Sequence, residues 1–193
     1  DAPLYIDDAH GTGVMGQNGR GTLEHFGVEH QIPFHMGTLG KALGSSGAYT
    51  VGSHEFVHYL INTCKPFLFT TAPTPASAAA ASAALTLVQQ DPARRARLWA
   101  NRERLWTGLR NLGFRLTDTV SPILPILVGR ADKALAFADQ LLAHGVYAPA
   151  IRPPTVPDET SRIRVTVTSE HTPDQLEEAL AAFKQAGCAT GLL

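Results

Sequence analysis

The sequence predicts an α/β protein built in two parts. Three observations carry that expectation. Short β-prone runs alternate with helical periodicity along most of the 193 residues. A strand-like opening feeds a glycine-rich loop, and a helical stretch punctuated by Pro73, Pro75 and Pro92 separates that region from a second strand–helix–strand–helix pattern. The expected boundary lies near residue 95, giving parts 1–95 and 96–193.

Taken in order, Leu4-Tyr5-Ile6 is a β-prone run that ends in Asp7-Asp8-Ala9-His10, and Gly11, Gly13, Gly16, Gly19 and Gly21 then make a loop. Gly47 to Gly52 reads as a strand. Ser53 caps a helix whose Phe56, Val57, Leu60 and Ile61 recur at helical spacing. Pro66-Phe-Leu-Phe-Thr70 reads as a third strand. An alanine-rich helix reaches about Gln90, and Pro92 opens another with Leu98, Leu105 and Leu109 on one face. Beyond Gly113 come a strand (Ile123 to Val128), a helix (Ala131 to Ala143), a strand (Arg162 to Val167) and a helix (Pro173 to Ala186), an alternating α/β unit.

With 44% hydrophobic and 17% charged residues the chain has ample material for a core and is not disordered. A net charge of -1 without a basic stripe excludes nucleic acid as a partner. The most apolar stretch, Ala76 to Val88, is interrupted by Ser77, Ser82 and Thr86 and falls short of the ~20 residues a bilayer span needs, so no membrane partner is expected. Cys64 and Cys188 stand far apart with no CxxC spacing, which fits a reducing cytoplasm. The opening Asp1-Ala2-Pro3, without Met or leader, is expected to be an internal point of a longer polypeptide.

Three motifs compete for attention. Gly11-Thr-Gly-Val-Met-Gly16 matches a dinucleotide-binding turn, but Gln17-Asn-Gly-Arg-Gly21 has too many glycines to begin the helix that must face a pyrophosphate. His54-Glu-Phe-Val-His58 is a literal HExxH, which would make a zinc peptidase. From Tyr59 to Arg102 there is neither Glu nor His to complete it, so no metal is expected. Gly37-Thr-Leu-Gly-Lys41 lacks the Walker glycine, His35 standing there, and Ala42 replaces the hydroxyl that would bind Mg²⁺.

A fourth constellation unites what remains: Asp7 with His10, Thr38 with Lys41, and Arg152 and Arg164. These types in this order meet the needs of pyridoxal 5'-phosphate (PLP) chemistry. The pyridine nitrogen requires a buried carboxylate, which Asp7 at a strand end can supply. The aldehyde requires a lysine in an open, glycine-flanked turn, and Lys41 follows Gly40. The phosphate requires hydroxyls, and an amino-acid carboxylate requires a bidentate guanidinium.

The segments IDDAHGTGVMGQNGRG (6–21), GTLGKALGSSGAY (37–49), FLFTTAPTP (67–75) and AIRPPTVPDETSRIRVTVTSEHT (150–172) resemble the α-oxoamine synthases, which are fold-type-I PLP enzymes. The resemblance covers nearly the whole chain. It implies the second half of the large sheet domain followed by a small C-terminal α/β domain. By that resemblance Asp7 pairs with the pyridinium nitrogen, His10 bonds the phenolic oxygen, and Lys41 forms the Schiff base and later moves the substrate α-proton. Thr38 binds the phosphate, as does Thr70 from the neighbouring subunit of a homodimer. Arg164 holds the substrate carboxylate, and Arg152 makes a second substrate contact.

The Arg152-Pro-Pro-Thr-Val-Pro157 segment points within the family to members that condense L-alanine with a pimeloyl thioester, carried by coenzyme A or a carrier protein. Glycine with another acyl-CoA, or a catalytically incomplete module serving only dimerisation, are the alternatives. The family's preceding segment is expected to supply the ring stacked on the cofactor and the early strands of the sheet; without it, apolar surface around Asp7 stays uncovered.

Overall fold

A computed structural model describes residues 3–193; Asp1 and Ala2, where the sequence opens, lie outside the described residues. The chain divides into two compact units, the first ending at Pro92 and the second spanning Ala93–Leu193.

The first unit carries a three-stranded sheet. β1 (Tyr5–Asp7) pairs in parallel with β2 (Phe34–Thr38), which pairs antiparallel with β3 (Ala48–Val51), in the order β1-β2-β3. The glycine-rich loop leads into a one-turn helix, α1 (Thr22–Phe26). It is tied internally by Gly13 N to Gly19 O and Gly21 N to Met15 O. α2 (His54–Thr63) starts where Ser53 accepts a hydrogen bond from Phe56 N, the cap its sequence predicts. β2 escapes sequence reading because Phe-His-Met-Gly-Thr has no clear two-residue alternation.

One expected strand is instead a helix. Residues 66–70 begin within α3 (Lys65–Leu68), where Phe67 N and Leu68 N both bond Cys64 O. Pro66 suits a first helical turn, where its fixed φ is helical and its missing N–H costs nothing. The β preference of Phe-Leu-Phe yields to that local geometry, as strand propensity readily does. α4 (Pro75–Gln90), capped by Thr74, closes the unit. Among the described residues its buried apolar side chains are Ala9, Met15, Leu23, Leu43 and Ala81, whereas Leu4, Tyr59, Phe67 and Phe69 are exposed. Among the described residues β1 pairs with β2 alone.

The second unit is organised around a larger core. α5 (Pro92–Leu112) contributes Leu105, Trp106 and Leu109; β4 (Ile123–Gly129) contributes Leu124 and Ile126; α6 (Ala131–Ala143) contributes Phe137 and Leu141. β6 (Ser161–Thr166) adds Ile163 and Val165, and α7 (Pro173–Thr190) adds Leu176 and Phe183. Phe114, Phe137 and Phe183 meet ring to ring, with centroids 5.6 to 6.2 Å apart. Phe137 and Phe183, both fully buried, each contribute about 1.5–3 kcal/mol of hydrophobic stabilisation.

The strand–helix alternation does not give a purely parallel sheet. A two-residue strand, β5 (Ala150–Ile151), too short to read from sequence, follows α6. β6 pairs antiparallel with both β4 and β5, giving the order β4-β6-β5. β4–α6–β5 is therefore a crossover split by the returning β6. No helix among the described residues is long and apolar enough to cross a membrane.

Candidate active site

Because β1 and β2 run in parallel, their C-terminal ends lie at one edge of the first sheet. That edge is where open α/β sheets bind ligands. Asp7 ends β1, opposite Met36, and Thr38 ends β2. The chain past Asp7 continues alongside β2: Asp8 N bonds Met36 O, and the Thr38 hydroxyl donates to Ala9 O at 3.3 Å. His10 is exposed in the turn that follows.

Lys41 stands at the same edge, in the loop joining β2 to β3. That loop is closed by Leu39 N to Gly47 O and Ser45 N to Leu39 O, and Lys41 O accepts from Gly44 N at 3.0 Å. Gly44 has φ of 57°, the left-handed region that ends such a turn without strain. The loop directs the Lys41 amine to 3.3 Å from Thr38 Oγ1. Ser45 Oγ bonds Ser77 O on α4 at 2.6 Å, anchoring the loop from behind.

The structure thus brings Asp7, His10, Thr38 and Lys41 to one sheet edge. Asp7 is exposed rather than buried: it is the last residue of β1, where the chain leaves the sheet for the loop, and its Oδ1 accepts from Ala9 N at 3.0 Å. The buried carboxylate is Asp8, 3% exposed. Thr70 is exposed in the segment between α3 and α4. Arg164 and Arg152 belong to the second unit. Arg164 lies on the exposed face of β6 with its N–H bonded to Pro149 O, and Arg152 follows β5 with Nη1 on Pro153 O at 3.3 Å.

Sequence reading missed a supporting network. The hydroxyls of Thr12 and Tyr49 meet at 3.0 Å, and Thr12 also donates to Asp8 O. Gly37 on β2 makes this possible, since a Cβ there would run into the Tyr49 hydroxyl and Thr12 Oγ1. Only strand register places Tyr49 beside Gly37, so no local pattern announces the contact.

His54 and His58 stack on exposed α2 with ring centroids 6.1 Å apart. Among the described residues no group of three or more His, Cys, Asp or Glu is gathered to hold a metal. Glu55 titrates below its ordinary value because the helix-start amide and the Ser53 side chain bond its carboxylate. Its role is at the helix start.

A lysine amine and a hydroxyl thus stand 3.3 Å apart at the C-terminal edge of an α/β sheet, with a carboxylate ending the neighbouring strand. The family described as aminotransferase class I and II matches residues 1–183, and the chain belongs to it. It is similar to the 8-amino-7-oxononanoate synthases of Anaeromyxobacter dehalogenans strain 2CP-1 (46% identity, 94% of this chain, 46% of the relative) and Cellvibrio japonicus (47%, 93% and 46%). Among solved structures it is similar to Sphingomonas wittichii serine palmitoyltransferase (TM-score 0.93, 35% identity, 100% of this chain, 49% of that one). The 8-amino-7-oxononanoate synthase of Francisella tularensis gives a TM-score of 0.84 at 28% identity, over 98% of this chain and 56% of that one. The chain spans about half the length of the curated relatives it matches.

Proposed function

We propose that this chain is the lysine-bearing half of a PLP-dependent C-acyltransferase of the 8-amino-7-oxononanoate synthase kind, acting in biotin biosynthesis. The reaction joins the α-carbon of L-alanine to the carbonyl carbon of a pimeloyl thioester, releasing the thiol and carbon dioxide. The observation that carries this reading is the Lys41 amine, 3.3 Å from Thr38 Oγ1 at the sheet edge that Asp7 also occupies. The donor set fits PLP: an amine for the aldehyde, a carboxylate for the ring nitrogen and a hydroxyl for the phosphate. Bound there, PLP supplies an electron sink for charge at the substrate α-carbon.

The chain's own residues do the rest. Asp7 keeps a proton on the ring nitrogen, and His10 bonds the phenolic oxygen. Lys41 holds the cofactor and then takes the α-proton of alanine. Thr38 grips the phosphate, helped by Thr70 of a second copy, which makes a homodimer part of the proposal. Arg164 holds the alanine carboxylate through two parallel N–H donors, and Arg152 makes a further substrate contact. The proposed location is the cytoplasm, where Cys64 and Cys188 stay thiols.

Likeness to a serine palmitoyltransferase favours testing other amino acids beside alanine. The complete polypeptide, incubated with PLP, reduced with borohydride and digested, is expected to carry the label on Lys41. Thiol release from pimeloyl-CoA is expected with alanine in preference to glycine or serine. Label on another lysine, or none, sinks the cofactor assignment; preference for glycine or serine sinks the substrate.

A further inference from the structure

Two adjacent carboxylates leave β1 in different environments: Asp7 is exposed at the proposed site, and Asp8 is 3% exposed beneath it. Every polar group of Asp8 is engaged. Its N–H bonds Met36 O on β2 at 2.9 Å. Its carbonyl accepts Gly11 N, Thr12 N and Thr12 Oγ1, which fixes the start of the glycine loop. Its carboxylate accepts Thr22 N at 2.9 Å and the Thr22 hydroxyl, which fixes the end of that loop and the start of α1. Gly11 and Gly21 flank the carboxylate so closely that a Cβ on either would overlap it.

We infer that Asp8 is a positioning residue: by tying β2, both ends of the 9–21 loop and α1 to one point, it sets where Asp7 and His10 stand at the sheet edge. His10 lies between the two fixed points, Asp8 and Gly11, and has little backbone freedom left. The carboxylate of Asp7 is covalently next to the staple, so its direction follows from the fixed Asp8 backbone. Asn at position 8 keeps an acceptor for Thr22 N and a group that meets Thr22 Oγ1. Ala removes both, and leaves the α1 amide without its acceptor.

This inference rests on the proposed PLP function. In the complete polypeptide, Asp8→Ala is expected to increase trypsin cleavage after Arg20, within the loop, before any cofactor is added. With PLP, the same variant is expected to weaken cofactor affinity about tenfold, the effect of losing one to two hydrogen bonds. It is also expected to shift the pH midpoint of the visible band of the bound cofactor, and Asp8→Asn is expected to restore both. Thr22→Val, which keeps the amide and removes only the hydroxyl, gives a weaker version of each effect and serves if Asp8→Ala does not fold. A wild-type protein with no visible band overturns the functional reading and this inference together. A wild-type band whose affinity and pH midpoint are unchanged in Asp8→Ala and Thr22→Val overturns the inference alone.

Discussion

The Lys41 amine lies 3.3 Å from the hydroxyl of Thr38, three residues back along the chain and at the end of β2. The same hydroxyl donates to Ala9 O, so Thr38 links the lysine loop to the segment carrying Asp7 and His10. Thr38→Val removes the hydroxyl at constant shape. In the complete polypeptide it is expected to weaken PLP affinity about 10- to 100-fold, the value of a hydrogen bond to a charged group, while Thr38→Ser retains it. Equilibrium titration of the visible band measures this, and equal affinity in the Val variant would remove Thr38 from the site.

Arg164 tests the substrate assignment separately. Its exposed position on β6, flanked by buried Ile163 and Val165, gives the side chain a firm base and leaves its guanidinium accessible. Arg164→Lys keeps the charge and loses the two-pronged geometry. The expected result is a KM for alanine raised about 10- to 100-fold with the KM for the thioester nearly unchanged. A rise confined to the thioester would move Arg164 to the acyl chain.

Gly37 carries a prediction about stability. Any Cβ there must push Tyr49 off Thr12, because their hydroxyls meet just above β2. Gly37→Ala is expected to cost about 1–3 kcal/mol, the usual penalty for overpacking. Urea unfolding at an unchanged m-value gives the number, and an unchanged midpoint would mean that Tyr49 swings aside freely.

How far the sequence discloses all this depends on whether the signal is local. The 131–143 helix is legible at both ends, since Gly129-Arg130 precedes its apolar periodicity and His144-Gly145 ends it. The Thr38–Lys41 pairing is legible because the lysine lies only three residues past the end of β2, in the glycine-flanked loop after it. The approach of Asp7 to Thr38 is a matter of register between β1 and β2, and β2 is itself invisible to periodicity. Asp7 and Asp8 are chemically identical in the sequence, and only the backbone's direction sends one outward and one into the loop. Residues 66–70 mislead for the opposite reason: their strand preference is local, while Pro66 and the Cys64 carbonyl decide for a helix.

The start of α6 predicts an acid-sensitive contact. Arg130 forks onto Asp132, with Nε and Nη2 at 3.0 and 2.7 Å, and these bonds hold the Asp132 carboxyl down at about 2. A carboxyl depressed in the folded state stabilises the fold above its unfolded pKa and loses that contribution as pH falls through the folded one. The window here runs from about pH 4, the ordinary Asp value, down to about 2. Carboxyl-carbon NMR is expected to show Asp132 returning toward the ordinary value in Arg130→Ala. An unmoved titration would assign the depression to the helix start.

Ser161 offers a gain in stability. It opens β6 on the core-facing side, is 0% exposed, and its hydroxyl has no hydrogen-bond partner among the described residues. A buried hydroxyl left unpaired costs about 1–3 kcal/mol against water. Its neighbours on the same face, Ile163 and Val165, are apolar and fully packed, so a methyl group suits the position better than a hydroxyl. Ser161→Ala removes one oxygen atom and no packed carbon, so the cavity term that punishes larger deletions is small. The expected result is a net gain of about 1 kcal/mol, seen as a Tm higher by a few degrees. Ser161→Thr, which adds a methyl where every neighbour is already in contact, is expected to lose stability. A lower Tm for Ser161→Ala would mean that the hydroxyl is satisfied in solution by a buried water, which heavy-atom electron density at that position would then reveal.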